Sequence, residues 1–166
     1  IVGDVPLKRL LNTSLMRGEV IIGKVAAYSI FAIFQIILTM LLLSLFNVTI
    51  NCLWSNLFFL LLVNSIAGIC IGVFISCISN TKLMGSQIFL LFFFVMYITQ
   101  NFARNDLVLK FNPLEQSRIA FEALAFRGLA LLDPVVLESL VNLVITAAFF
   151  FVVSIIYIKY LKQEFI

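Results

Sequence analysis

Four long apolar runs alternate with short polar stretches along the chain, and the lengths of the runs decide what they are. The runs at 20–46, 53–78, 84–102 and 134–160 approach or exceed the roughly 20 residues that cross a bilayer's hydrocarbon core. They are therefore expected to be spanning helices, the first of them long enough to tilt or protrude. The stretch ahead of the first run has a different pattern. Over 5–17, Leu7, Leu10, Leu11 and Leu15 recur at helical spacing, while Lys8, Arg9, Asn12, Thr13 and Arg17 take the opposite face. Pro6 suits a first helical turn and Asp4 a cap before it. A basic amphipathic helix that runs into a span either lies on the membrane, held by anionic lipid, or docks on a partner there.

A second mixed stretch separates the third and fourth runs. Asn112, Pro113 and Glu115 read as a cap, a first-turn proline and the third position of a capping box, predicting a helix over 113–127 that stops at Gly128. Glu115, Arg118 and Glu122 bring opposite charges together along it, with Leu114, Phe121 and Leu124 on the apolar side. Such a helix is too polar to span and too apolar for an ordinary loop, so it is expected to lie at the interface or dip partway back into the membrane. Asp133 and Pro134 repeat the cap-plus-proline start for the last span. The expected fold is all-α. It is a single transmembrane domain, a polytopic helix bundle of four spans with an N-terminal amphipathic helix and a short re-entrant or interfacial helix before the last span.

Composition agrees: 63% of residues are hydrophobic and 11% charged, where soluble domains carry about 25% charged residues. The net charge of +3 is small, implies no nucleic-acid partner, and matters less than its placement. With four spans and both termini on one side, Lys8, Arg9, Arg17, Lys24, Lys82, Lys159 and Lys162 gather there. Arg104, Lys110, Arg118 and Arg127 fall opposite, among Asp106, Glu115, Glu122, Asp133 and Glu138. The positive-inside rule makes the first side cytoplasmic.

Candidate chemistry is sparse. The absence of histidine removes the commonest general base and metal ligand. Cys52, Cys70 and Cys77 lack the spacing of a zinc site or disulfide framework, so no metal is expected. Mid-span acids and bases are missing, which argues against an intramembrane enzyme and leaves no catalytic residue to nominate. What the spans do carry is neutral and polar. Gln35 in the first needs a partner helix or a cavity; Asn64, Gly68, Gly72 and Ser76 recur every four residues in the second as a ridge for close helix packing. Asn142 and Thr146 continue a stripe from Glu138 in the fourth. Gln35, Asn142 and Thr146 are candidates for lining a translocation path, or for facing a neighbouring helix, water or headgroups.

Two strings carry a family resemblance. Leu10-Leu11-Asn12-Thr13, Arg17-Gly18-Glu19 and Gly23-Lys24 resemble the coupling-helix stretch of ABC-2 type transporter permeases, differing at Ser14, where many members have proline. Asn112-Pro113-Leu114, Glu122-Ala123-Leu124 and Arg127-Gly128 resemble the segment before the last helix of those permeases, although Phe102-Ala103-Arg104 replaces the phenylalanine–proline pair usual upstream. Together the strings frame nearly the whole chain.

The resemblance implies the membrane subunit of an ATP-driven exporter in the cell membrane, with a first pair of membrane helices upstream of this portion. Leu7, Arg9, Leu10, Leu11, Leu15 and Arg17 would meet an ATP-binding partner, with Glu19 shaping the bend. Asn112, Pro113, Glu115, Arg118 and Glu122 would belong to an outer re-entrant helix. ATP and magnesium would be bound by the partner, since this chain has no GxxxxGK[ST] loop, and a second permease half would complete the transporter. Lipid, lipid-linked glycan, hydrophobic drug and peptide all remain open as cargo. The alternative is an accessory multi-pass protein, a scaffold or passive channel without ATP coupling.

Overall fold

A computed structural model describes residues 17–79, 81–103 and 105–160, and every regular element among them is helical. In chain order these are α1 (Arg17–Leu45), α2 (Trp54–Ile78), α3 (Lys82–Phe102), α4 (Asp106–Lys110), α5 (Pro113–Phe121), a π-helical turn over Glu122–Phe126, and α6 (Pro134–Tyr160). Four of them are long and apolar enough to cross a membrane, with spans at Val25–Leu45, Trp54–Ile78, Leu83–Phe102 and Pro134–Tyr157. That is the make-up of a multi-pass membrane protein, and the spans fall on the four apolar runs. The amphipathic helix expected over 5–17 lies outside the described residues, apart from Arg17, which opens α1.

The helix ends follow from local chemistry. Asn47, in the left-handed region at φ 50°, closes α1: its N–H donates to the Ser44 carbonyl and that of Val48 to the Leu43 carbonyl. These are the paired bonds of a Schellman cap, which Asn tolerates better than any other residue with a side chain beyond Gly. Thr81 caps α3 by accepting from the Met84 N–H at 3.2 Å, and Asp133 caps α6 by accepting from the Val135 N–H at 3.1 Å. The proline at the head of α6 costs nothing there, because a first-turn N–H has no helical partner.

The core is a seam between α2 and α6. Leu57 and Leu60 meet Val136 and Leu140 at one end, and Ala67 and Cys70 meet Leu143 and Ala147 in the middle. Val73 and Cys77 pack with Phe151 and Ile155 at the other end. Along α6, the buried positions Val136, Leu140, Leu143, Ala147 and Ser154 keep the alternating three- and four-residue spacing that holds one face of a helix against a neighbour. Lipid tails are as apolar as leucine, so the seam draws its stability from close packing rather than from escaping water. Alanine and cysteine in its middle serve that end by letting the backbones approach. Cys70 and Cys77 are free and buried, in the small-hydrophobe role that their spacing suggested.

The other two long helices flank this pair. α1 seats Ala32 and Ile36, one turn apart, as its buried residues. α3 stands apart: none of its span is buried, against a third of α2 and of α6.

Gly128 follows the π turn at φ 66°, and a Cβ there would sit 3.0 Å from the Asn51 carbonyl oxygen. Both the backbone region and the close approach demand glycine. Gly128→Ala is expected to cost about 1–3 kcal/mol, the range for a strained backbone position. Gly68→Ala, where nothing lies within 4 Å of the added carbon, is expected to leave stability unchanged or slightly raised. Thermal unfolding of both variants in detergent, beside the parent, checks this pair.

Candidate functional site

Where α1 and α3 end and α2 and α6 begin, the segment 105–128 folds across the helices as a polar clasp. Asn105 caps α4 by accepting from the Leu107 N–H, and Asn112 caps α5 by accepting from the Leu114 N–H at 3.0 Å. Asn112 is 2% exposed, and its amide does more than cap. Its Nδ2 donates to the Met96 carbonyl at 2.8 Å and to Thr99 Oγ1 at 2.9 Å, so one side chain ties the start of α5 to the last turns of α3. The capping box expected from Glu115 forms only by half. Glu115 turns away from the cap and takes a bidentate pair from Arg118, at 2.7 and 3.0 Å.

Gln116 and Ser117 extend the clasp to the other helices. Gln116 Nε2 donates to the Leu109 carbonyl and its Oε1 accepts, at 3.4 Å, from Asn142 Nδ2 on α6. Ser117 Oγ donates to Asn64 Oδ1 on α2. Asn51, in the connection from α1 to α2, donates its N–H to the Ala125 carbonyl at 2.8 Å and its Nδ2 to the Phe126 carbonyl at 3.0 Å. Beneath these bonds, Ala120, Ala123, Leu124 and Ala125 complete the core against Leu57, Leu60, Val136 and Leu140. The π turn makes this possible, since its wider ring turns three consecutive residues inward.

Charges edge the clasp on its exposed side. Arg118 Nη1 reaches Glu122 at 3.0 Å, Arg127 reaches the same carboxylate at 2.8 Å, and Lys110 meets Glu138 of α6 at 2.8 Å. Arg118 holds the Glu115 carboxyl below the ordinary value of 4.5, against the opposing effect of burial. Glu115 in turn raises Arg118, and the Glu138 carboxylate beside Lys110 raises that ammonium. Among the described residues, no group of three or more His, Cys, Asp or Glu is placed to hold a metal ion.

The second feature is a groove of about 680 Å³ along the opposite face of α2, between α1 and α3. Tyr28, Ala32 and Gln35 of α1, Gly68, Gly72 and Ser76 of α2, and Phe89 of α3 are among its walls. Gln35, the lone amide of the first span, thus meets the glycine ridge of the second. Among the described residues its side chain has no hydrogen-bond partner, and nothing lies within 4 Å of where a Cβ would stand on Gly68 or Gly72. Among the described residues, these glycines face the open groove rather than a packed side chain.

The sequence-nominated residues therefore divide between two places. Asn64 leaves its expected ridge to join the clasp, with Asn112, Pro113, Glu115, Arg118 and Glu122. Asn142 and Thr146, grouped with Gln35 as path candidates, sit elsewhere: Asn142 on the clasp and Thr146 buried, returning its hydroxyl to the Asn142 carbonyl at 2.8 Å. Leu7, Arg9, Leu10, Leu11 and Leu15 lie outside the described residues, and of Arg17 and Glu19 only the helical backbone is described. Pattern reading missed Gln116, Ser117 and Asn51 as clasp members. Three polar residues clustered near the predicted caps were the available signal.

Because Glu115 is lowered when folded, its share of stability is present above the unfolded value and lost as pH falls through the folded one. Thermal stability of the purified chain is expected to fall as pH is taken below about 4.5, with Glu115→Gln flattening that part of the profile. A pH series of melting curves for parent and variant checks it.

Comparison of the chain with protein-family models, with curated proteins and with solved structures finds no match.

Proposed function

We propose that this chain is the permease portion of an ATP-driven transporter of the ABC-2 type, working in the cell membrane with a separate ATP-binding subunit and a second permease half. The observation that carries the reading is continuity. The Arg17-Gly18-Glu19 and Gly23-Lys24 string that resembles the permease pattern opens a single unbroken helix of 29 residues, α1. A basic amphipathic stretch that leads in sequence into such a helix would act as a lever: force applied at the start of α1 is passed along an unbroken helix toward the far side of the bilayer. The second string also falls on a fitting element, since 112–128 forms the compact clasp between α3 and α6.

In this reading the partner hydrolyses ATP, bears on 5–17 through Leu7, Leu10, Leu11 and Leu15 with Arg9 and Arg17, and rocks the helices between inward- and outward-facing states. Both termini face the cytoplasm, and the clasp lies at the outer surface as a re-entrant element. Gln35 and the glycine face of α2 are the best-placed residues for a path wall. The chain itself supplies no nucleotide site and no catalysis.

Charge reversal at Arg9 and Arg17 sets like charges against whatever acidic surface receives them, which costs several kcal/mol at an interface. Affinity purification of the tagged chain from its native membrane is expected to bring down an ATP-binding protein, and Arg9→Glu with Arg17→Glu to abolish that capture while leaving the chain folded. A scaffold or passive channel would retain its companions in both forms, with no ATP-binding protein among them, and that result would remove the transporter reading.

A further inference from the structure

α3 is held unlike the other long helices. No residue of its span is buried, and its side chains Phe89, Phe93, Val95 and Ile98 stand largely or half exposed. At its head Gly85 lies against Ser79 at the end of α2, a Cβ there falling 3.3 Å from the Ser79 hydroxyl. At its tail the attachment is polar, from Asn112 to the Met96 carbonyl and Thr99 Oγ1, with a further bond between Gln100 and Glu115. In between, Phe92 touches Phe150 of α6 edge-on, and Phe89 forms the third wall of the groove over Gly68 and Gly72. The clasp, in contrast, is anchored to α2 through Asn64 and to α6 through Asn142 and Glu138.

From this arrangement we infer that α3 is a hinged wall: it pivots at its head, where Gly85 meets Ser79, the Asn112 amide is the latch at its free end, and release of that latch widens the groove between α1 and α3. The latch suits the task because its two acceptors are a carbonyl that already accepts within α3 and a hydroxyl that also donates to that same Met96 carbonyl, at 2.9 Å. Both keep a partner inside α3 when Asn112 withdraws, so parting strands neither of them, and the Gln100–Glu115 bond is the one further polar tie at that end that parting breaks. The apolar surfaces on either side lose little, since lipid replaces what α3 gives up. The latch is local to this chain and holds whether or not an ATP-binding subunit drives it.

The separating substitution is Asn112→Ser. Serine still caps α5, because its hydroxyl accepts from the helix N–H groups, but it is too short to reach Met96 and Thr99. Thr99→Val removes one acceptor without changing size. Spin labels at Leu42 on α1 and Ile98 on α3 measure the wall, and labels at Leu42 and Leu137 on α6 serve as the fixed reference, in full-length chain with its three cysteines replaced by alanine and reconstituted into lipid nanodiscs. The expected result is a narrow 42–98 distance distribution in the parent that lengthens and broadens in Asn112→Ser, less so in Thr99→Val, with 42–137 unchanged throughout. An unaltered 42–98 distribution in both variants overturns the latch. A joint shift of both label pairs overturns it too, because the substitution would then have loosened the whole bundle rather than freed one wall.

Discussion

Two apolar helices in a bilayer gain nothing by hiding from lipid, so the α2–α6 seam must hold through contact alone, and the remainder of the molecule rests on how well it does so. Its middle carries the small side chains Ala67, Cys70 and Ala147 around Leu143, and its clasp end carries Leu57, Leu60, Val136 and Leu140. Thr146 and Ser154 are buried along α6 without penalty, because each returns its hydroxyl to a carbonyl of its own helix, Asn142 and Phe150.

The clasp solves a different problem with different means. A segment of irregular backbone set among spanning helices has to satisfy every buried N–H and C=O, since no water is guaranteed to do so. Here three short elements meet part of this demand by borrowing side chains. Asn105 and Asn112 cap, Gln116 takes up the Leu109 carbonyl that ends α4, and Asn51 satisfies two carbonyls of the π turn from outside. The same bonds bind α2, α3, α6 and the α1–α2 connection into one end of the molecule, so backbone accounting and tertiary assembly are met by the same residues. The exposed ion pairs of Arg118 and Arg127 with Glu122 add less, while the pair of Arg118 with Glu115 is buried on the Glu115 side.

Against this rigid end the groove is the permissive part of the structure. It lies where α2 presents glycine and α1 presents an amide with no partner among the described residues, and its far wall is the helix with the least burial. In the transporter reading this is where movement has to be tolerated, since a lever acting on α1 changes the distance between α1 and α3 before it disturbs the seam. A chain that packed its glycines as tightly as its alanines would resist that motion.

How much of this could be read from the residues alone varies with the range of the interaction. Spans follow from the length of apolar runs, and caps follow from Asn112-Pro113 and Asp133-Pro134, because both depend on neighbours in the chain. Cys70 and Cys77 as buried small residues were legible for the same reason. The glycine ridge was not: a four-residue repeat shows that Asn64, Gly68, Gly72 and Ser76 share a face, yet which neighbour that face meets depends on how far each of three other helices is rotated. Only the packing put Asn64 under Ser117 and left Gly68 and Gly72 on the groove. Likewise, Asn142 and Gln35 are equally polar residues in equally apolar spans, and their sequence surroundings do not distinguish them. The fold does so, because α5 lies within hydrogen-bonding reach of Asn142, whereas Gln35 lines the groove with no side-chain hydrogen bond among the described residues. Local pattern thus determined the helices and their ends, whereas partnership among polar groups was decided by tertiary contact, since a hydrogen bond requires two groups within about 3 Å and no repeat along the chain specifies that.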